Sequence, residues 1–148
     1  LLDFSIRKSF DPFRSHIGGE FYNQRYFDAW LRFASDNPYR IFYAYTKSLP
    51  YWINRLGEIP NNFSLTASHG GRADNLIAKH NLKYALVVNH PDEAEELQLE
   101  IDHDDSHAIA NDGISFALLL HGTQKAGTDS ANAIKRMNRE KVHYQYSK

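Results

Sequence analysis

Short apolar runs of strand length alternate with amphipathic or turn-bounded segments along nearly the whole chain: Phe13–Ile17, Arg40–Tyr45, Phe63–Ala67, Tyr84–Val88, Leu97–Ile101 and Ser115–Leu120. A helix between two strands carries the chain back to the edge where the first strand began, so this alternation predicts parallel pairing through right-handed crossovers. The expected fold class is α/β, a mainly parallel sheet of about six strands with alternating helices, as an open sheet or a partial (β/α) barrel. A closed eight-stranded barrel is excluded, because 148 residues fall well short of the roughly 250 it takes.

The intervening segments carry helix signals. Across Asn23–Ser35 the residues Tyr26, Phe27, Trp30, Leu31 and Ala34 share one helical face, and Asp36-Asn37-Pro38 ends the pattern. Leu49–Leu56 has Pro50 in its first turn and Gly57 after it. Gly70-Gly71 opens a helix over Arg72–His80 that Asn81 closes. Pro91–Glu96 reads as a short acidic helix and Asp129–Asn138 as the last one. Tyr84–Val88 is apolar after its first residue, which predicts burial on both faces. Helical spacing assigns Tyr26, Phe27 and Trp30 to a core, while Tyr51-Trp52 is placed at one edge of a pocket.

A hydrophobic content of 42% supports one domain over 1–148, with a polar basic tail from about residue 139. The net charge of −1 sets up no global field for nucleic acid or an anionic membrane. The chain has no cysteine, which removes disulfides, thiolate metal sites and thiol nucleophiles and suits a reducing cytoplasm. No run approaches the roughly 20 apolar residues of a membrane helix, and Asp3, Arg7 and Lys8 interrupt the first ten. The first residue is Leu and not Met, which fits a processed product, a fragment or a chain whose start is not captured.

Four phrases together resemble the gene product 88-like family of phage and plasmid proteins. They are Phe13-Arg14-Ser15-His16-Ile17-Gly18-Gly19-Glu20-Phe21, Phe42-Tyr43-Ala44-Tyr45-Thr46-Lys47, Asn62-Phe63-Ser64-Leu65-Thr66-Ala67-Ser68 and Asp102-His103-Asp104-Asp105-Ser106-His107. The resemblance spans Phe13 to Gln124, and its most distinctive piece is the Tyr45-Thr46-Lys47 strand end. It implies a phage-related α/β protein in the cytoplasm of an infected bacterial host, with no assigned activity. Longer members begin with a cysteine-containing segment that has no counterpart here, so chemistry requiring those cysteines does not transfer.

Six of the eight histidines, His16, His69, His90, His103, His107 and His121, stand at or just after an apolar run. In parallel α/β folds the carboxyl ends of strands form the rim where ligands bind. Imidazole and carboxylate suit divalent transition metals and also serve as general acids and bases. The expected ligands of such a metal are therefore Asp102, His103, His107, His16 and His121, with His69, His103 and Asp104 as catalytic groups. Eight carboxylates and no Lys or Arg lie between Pro91 and His107, so the other reading of Asp102–His107 is an acidic loop whose histidines offset charge.

Lys47, Arg72 and Glu20 are the expected substrate-binding residues, with Gly18-Gly19 and His69-Gly70-Gly71-Arg72 able to bring backbone N–H groups to an anion. Neither glycine pair completes a Walker or dinucleotide fingerprint, and no zincin helix or nucleophile elbow occurs. The leading expectation is a metal-assisted hydrolase or lyase acting on a small-molecule or phosphate-containing ligand. The alternative is a non-enzymatic phage accessory protein that binds nucleotide, nucleic acid or a host protein. For nucleic acid, Lys135, Arg136 and Arg139 would act with Tyr144 and Tyr146. Oligomeric state is left open.

Overall fold

A computed structural model of the chain describes residues 11–16 and 19–142. Asp3, Arg7, Lys8, Ile17, Gly18, Tyr144 and Tyr146, which figure in the sequence expectations, lie outside the described residues. Five strands, β1 (Phe13–Arg14), β2 (Phe42–Thr46), β3 (Phe63–Ser68), β4 (Tyr84–Val88) and β5 (Phe116–Leu119), pair in parallel in chain order. The helices are α1 (Gln24–Asp36), α2 (Leu49–Ile53), α3 (Asn75–His80), α4 (Pro91–Glu96), α5 (Ser106–Ile109) and α6 (Asp129–Arg139). The architecture is the expected α/β fold, a curled half-barrel.

Strand order decides what each face meets. Every crossover steps to the next strand in the same direction, so right-handed connections place their helices on one face. On that outer face Phe42, Ala44, Phe63, Leu65 and Ala67 pack with Phe27, Trp30 and Leu31 of α1, Leu49 and Trp52 of α2 and Ile77 of α3. Further along, Val88, Ala117 and Leu119 pack with Ala94 of α4 and Met137 of α6. Phe27, Phe42 and Phe63 are fully buried, and each such side chain stabilises the fold by about 1.5–3 kcal/mol. Trp52 belongs to this layer, which corrects the expectation that it edges a pocket.

The inner face carries Tyr43, Tyr45, Ser64, Thr66, Ser68, Ala85, Val87, Phe116 and Leu118, by strand alternation and register. Among the described residues no second layer of crossover helices covers it. Instead the chain between β4 and β5 folds under it as α5, where Ala108 packs with Tyr43, Ala85 and Phe116. The Ser64 hydroxyl donates to the carbonyls of Ala108 (2.6 Å) and Ala110 (3.2 Å). Lys83, 6% exposed, donates its ammonium to the carbonyls of His107 and Ala110. Burial pushes the Lys83 pKa down against the opposing pull of Asp112 and Asp102.

The strands are staggered as in a barrel, since Phe42 pairs with Phe63 but Tyr84 pairs with Ala67 and Phe116 with Ala85. The carboxyl ends of β4 and β5 thus project beyond the part that α5 covers. Val87 is 53% exposed there, contrary to the expected burial of β4 on both faces. The expected strand Leu97–Ile101 shrinks to one parallel bridge from Ile101 to Ala117. Leu97 caps α4 and Gln98 has a φ of 55°, so the chain is still turning where pairing was expected to begin.

Candidate functional site

The uncovered end of the inner face is a groove of about 550 Å³ lined by Arg14, Tyr45, Ser68, Val87, Leu118 and His121 among others. These come from the ends of β1 to β5, so the groove lies at the strand carboxyl ends where sequence order puts a parallel sheet's ligand site. One wall is aliphatic. Arg14 and Tyr45, which line the groove as well, meet at Asp105 behind them.

Asp105 is 7% exposed and has a φ of 63°. Its carboxylate accepts from the hydroxyls of Tyr43 (2.9 Å) and Tyr45 (3.0 Å) and from Nη1 of Arg14 (3.2 Å). The Arg14 guanidinium also lies 4.8 Å from the Tyr45 ring centroid, a cation–π distance. Arg14 Nε and the fully buried Thr66 hydroxyl have no hydrogen-bond partner among the described residues. Arg14 is therefore held in place with donors unspent.

The carboxylates expected to bind ligands are occupied by the chain's own amides. Glu20 accepts from the N–H groups of Lys47 (2.7 Å) and Phe21 (2.9 Å) and from the Thr46 hydroxyl (2.6 Å), which ties the β1–α1 loop to the end of β2. Asp74 accepts from the N–H groups of Gly70 (2.8 Å) and Gly71 (2.9 Å). Burial raises its pKa, but those two N–H groups, His69 and Lys47 outweigh burial and leave it lowered. The nest that His69-Gly70-Gly71-Arg72 was expected to offer an anion is thus filled from within, and Arg72 is exposed.

Lys47 is likewise accounted for in part, its stem close enough to Gly71 that a Cβ there would sit 3.3 Å from it. Glu93 accepts from the Asn89 N–H (2.8 Å) at the end of β4. Asp102, 1% exposed, accepts from the N–H groups of His107 (3.2 Å) and Ala108 (3.4 Å) in the first turn of α5 and from that of Asp104 (3.3 Å). Asp104 accepts from the Ser106 N–H (3.1 Å), and the Ser106 hydroxyl and N–H hold its pKa down.

The histidines do not converge. His16 packs edge-on against Phe21, Tyr26 and Trp30 with ring centroids 4.7 to 5.9 Å apart, on the outer face. Burial lowers its pKa against the Glu20 charge. His69 is exposed and sits 3.4 Å from Asp74. His90 caps α4 and bonds Glu140 (2.6 Å). His103 is exposed. His107 bonds Glu100 (2.8 Å) and lies 3.5 Å from Asp102. Burial lowers the His107 pKa, yet the Glu100 and Asp102 carboxylates more than offset it, so the net shift is upward. Of the six, His121 lines the groove.

Among the described residues no group of three His, Asp or Glu side chains could hold a metal ion. The expected set of Asp102, His103, His107, His16 and His121, facing His69, is split between α5, the outer-face aromatic cluster and the rim. Sequence reasoning missed Arg14, Tyr45, Lys83 and Asp105. Tyr43 and Tyr45, two apart in an otherwise apolar strand, put both hydroxyls on one face and were the available signal for a buried acceptor.

No helix among the described residues is long and apolar enough to cross a membrane. No curated protein and no solved structure matches the chain. The family model for gene product 88 matches residues 5–140. That span takes in all five strands, α5 and the groove, so the chain belongs to the gene product 88 family.

Proposed function

We propose that this protein binds a small organic anion with an apolar body in the open mouth of the half-barrel. The supporting observation is the groove itself, about 550 Å³ with Arg14 at one end and Val87 and Leu118 along the wall. Arg14 keeps N–H donors beyond its bond to Asp105, and a planar guanidinium fixed from behind suits a carboxylate or phosphate. The aliphatic wall would take the rest of the ligand.

In an enzymatic form of this reading, a hydrolase or lyase step draws proton transfer from His121, the imidazole on the groove. The test is a thermal-shift and calorimetric screen of small carboxylates and phosphate monoesters against the wild-type chain and Val87→Arg. Val87 is half exposed, so the arginine fills the groove without entering the core. A ligand at a hundred times its Kd adds about 2.7 kcal/mol, roughly 5–10 °C for a chain this size. The reading requires that shift in wild type and its loss in Val87→Arg. A screen with no shift, or a shift that survives Val87→Arg, overturns it.

A further inference from the structure

A second cleft, away from the half-barrel mouth, lies between α6 and the end of β4. Asn132, Lys135, Arg136 and Arg139 follow the i, i+3, i+4, i+7 spacing that puts four residues on one helical stripe. With Asn89 and His90 they line a cleft of about 470 Å³. Its lining thus offers three cations, two amides and an imidazole, and no carboxylate.

The acids around the cleft are bound to its central and marginal residues and leave the two outer cations uncompensated. Glu140 accepts from Arg136 Nε (2.8 Å) and pairs with His90 (2.6 Å), Asp92 lies 3.2 Å from Arg136 Nη2, and Glu93 accepts from the Asn89 N–H (2.8 Å). Arg136 is thereby clamped at the centre of the stripe by two carboxylates. Lys135 and Arg139 on either side are exposed and have no ion-pair partner among the described residues. A fixed guanidinium flanked by two uncompensated cations, with amide donors at the margin, is a set of donors for an anion with several oxygens.

We infer that this cleft is a phosphate-binding site. From Asn132 to Arg139 the stripe is about 10 Å long, room for one phosphate or for two successive phosphates of a strand. The shared chemistry is the phosphate oxyanion. A free phosphate monoester and a nucleic-acid backbone are its two sources.

The test uses the full chain with three probes: inorganic phosphate and adenosine monophosphate by calorimetry, and a fluorescein-labelled twelve-residue oligothymidylate by anisotropy. For the oligonucleotide, two uncompensated cations give a log–log salt slope near −1.4, so affinity falls about sevenfold between 50 and 200 mM salt. In Lys135→Gln/Arg139→Gln, which alters two exposed side chains, binding weakens by at least that factor and the residual salt dependence flattens. Oligonucleotide binding with these properties assigns the backbone as source; phosphate or monophosphate binding alone, lost in the double variant, assigns a free monoester. Absence of binding for all three probes, or binding that the double variant leaves intact, overturns the inference.

Discussion

Replacing Asp105 tests the polar end of the groove at its origin. The carboxylate takes two tyrosine hydroxyls and one guanidinium N–H inside 3.2 Å while 7% exposed. In Asp105→Asn the backbone is undisturbed, because asparagine tolerates the φ of 63° as well as aspartate does. One amide oxygen still accepts, but the amide nitrogen now faces donors, so one hydroxyl loses its acceptor and the charge is gone. Arg14 is 30% exposed, which screens its ion pair, so most of the cost lies with the tyrosines. A hydrogen bond to a charged group contributes about 1.5–3 kcal/mol, which sets the expected loss near 2 kcal/mol. Asp105→Ala loses the three bonds seen among the described residues and adds strain at a left-handed position, for about 4 kcal/mol in total. Urea denaturation followed by the fluorescence of Trp30 and Trp52, with thermal melts alongside, reads both. At about 3 °C per kcal/mol the melts fall by roughly 6 and 12 °C. An Asp105→Asn variant within about 0.5 kcal/mol of wild type, or an alanine variant no worse than the asparagine, refutes the picture of one carboxylate serving three donors.

Other substitutions follow from the same accounting of partners. Asp74→Ala frees two loop amides to solvent and costs about 1 kcal/mol, and because the folded pKa is depressed, the wild-type advantage is present at neutral pH and fades as pH falls through the acid range, seen by melts across pH. The His107 pKa is raised above its ordinary 6.5, so its contribution is fully present below that value and is lost as pH rises through the folded pKa; the gap in melting temperature between wild type and His107→Gln narrows from acid to alkaline pH. Asn62 donates its side-chain amide to the carbonyls of Ala34 (2.9 Å), Asn37 (3.0 Å) and Arg40 (2.9 Å), so Asn62→Ala leaves the end of α1 unsupported and lowers unfolding free energy by about 1–2 kcal/mol in urea titration.

The fold was legible because periodicity and turn residues report local backbone preference. Tyr84–Val88 and Pro91–Glu96 are found at the expected bounds, and α1 is displaced by one residue at each end. Leu97–Ile101 failed since its alternation matched a strand while Gln98 was committed to a left-handed turn. The four-residue α5 was invisible because a stretch of Asp, His and Ser has little helix propensity; it is held instead by Asp102, which accepts from its first-turn N–H groups, and by Lys83 on the carbonyls of His107 and Ala110. Two rim positions were also legible, since Ser68 and His121 line the groove. What each rim side chain does was not, because that depends on partners distant in sequence: Asp105 meets Tyr43 across 62 residues.

The acidic rim shows why strand-end carboxylates are poor evidence for a ligand when taken alone. A parallel strand that runs into a loop leaves N–H groups beyond the last ladder bond, and each must find an acceptor or water. Glu20, Asp74, Glu93 and Asp102 supply that acceptor at the ends of β2, β3, β4 and the Ile101 bridge. Each loop is thereby fixed, which helps the rim keep its shape, and each acid is consumed in doing so. The groove's chemistry falls instead to residues on the strands themselves, where alternation, and not loop conformation, decides which way a side chain faces. Five strands in chain order leave one face without crossover helices, α5 covers only its lower part, and Arg14 and Tyr45 stand at the edge of that cover. The open end of this half-barrel follows from the order of its five described strands as much as from the short cover that α5 provides.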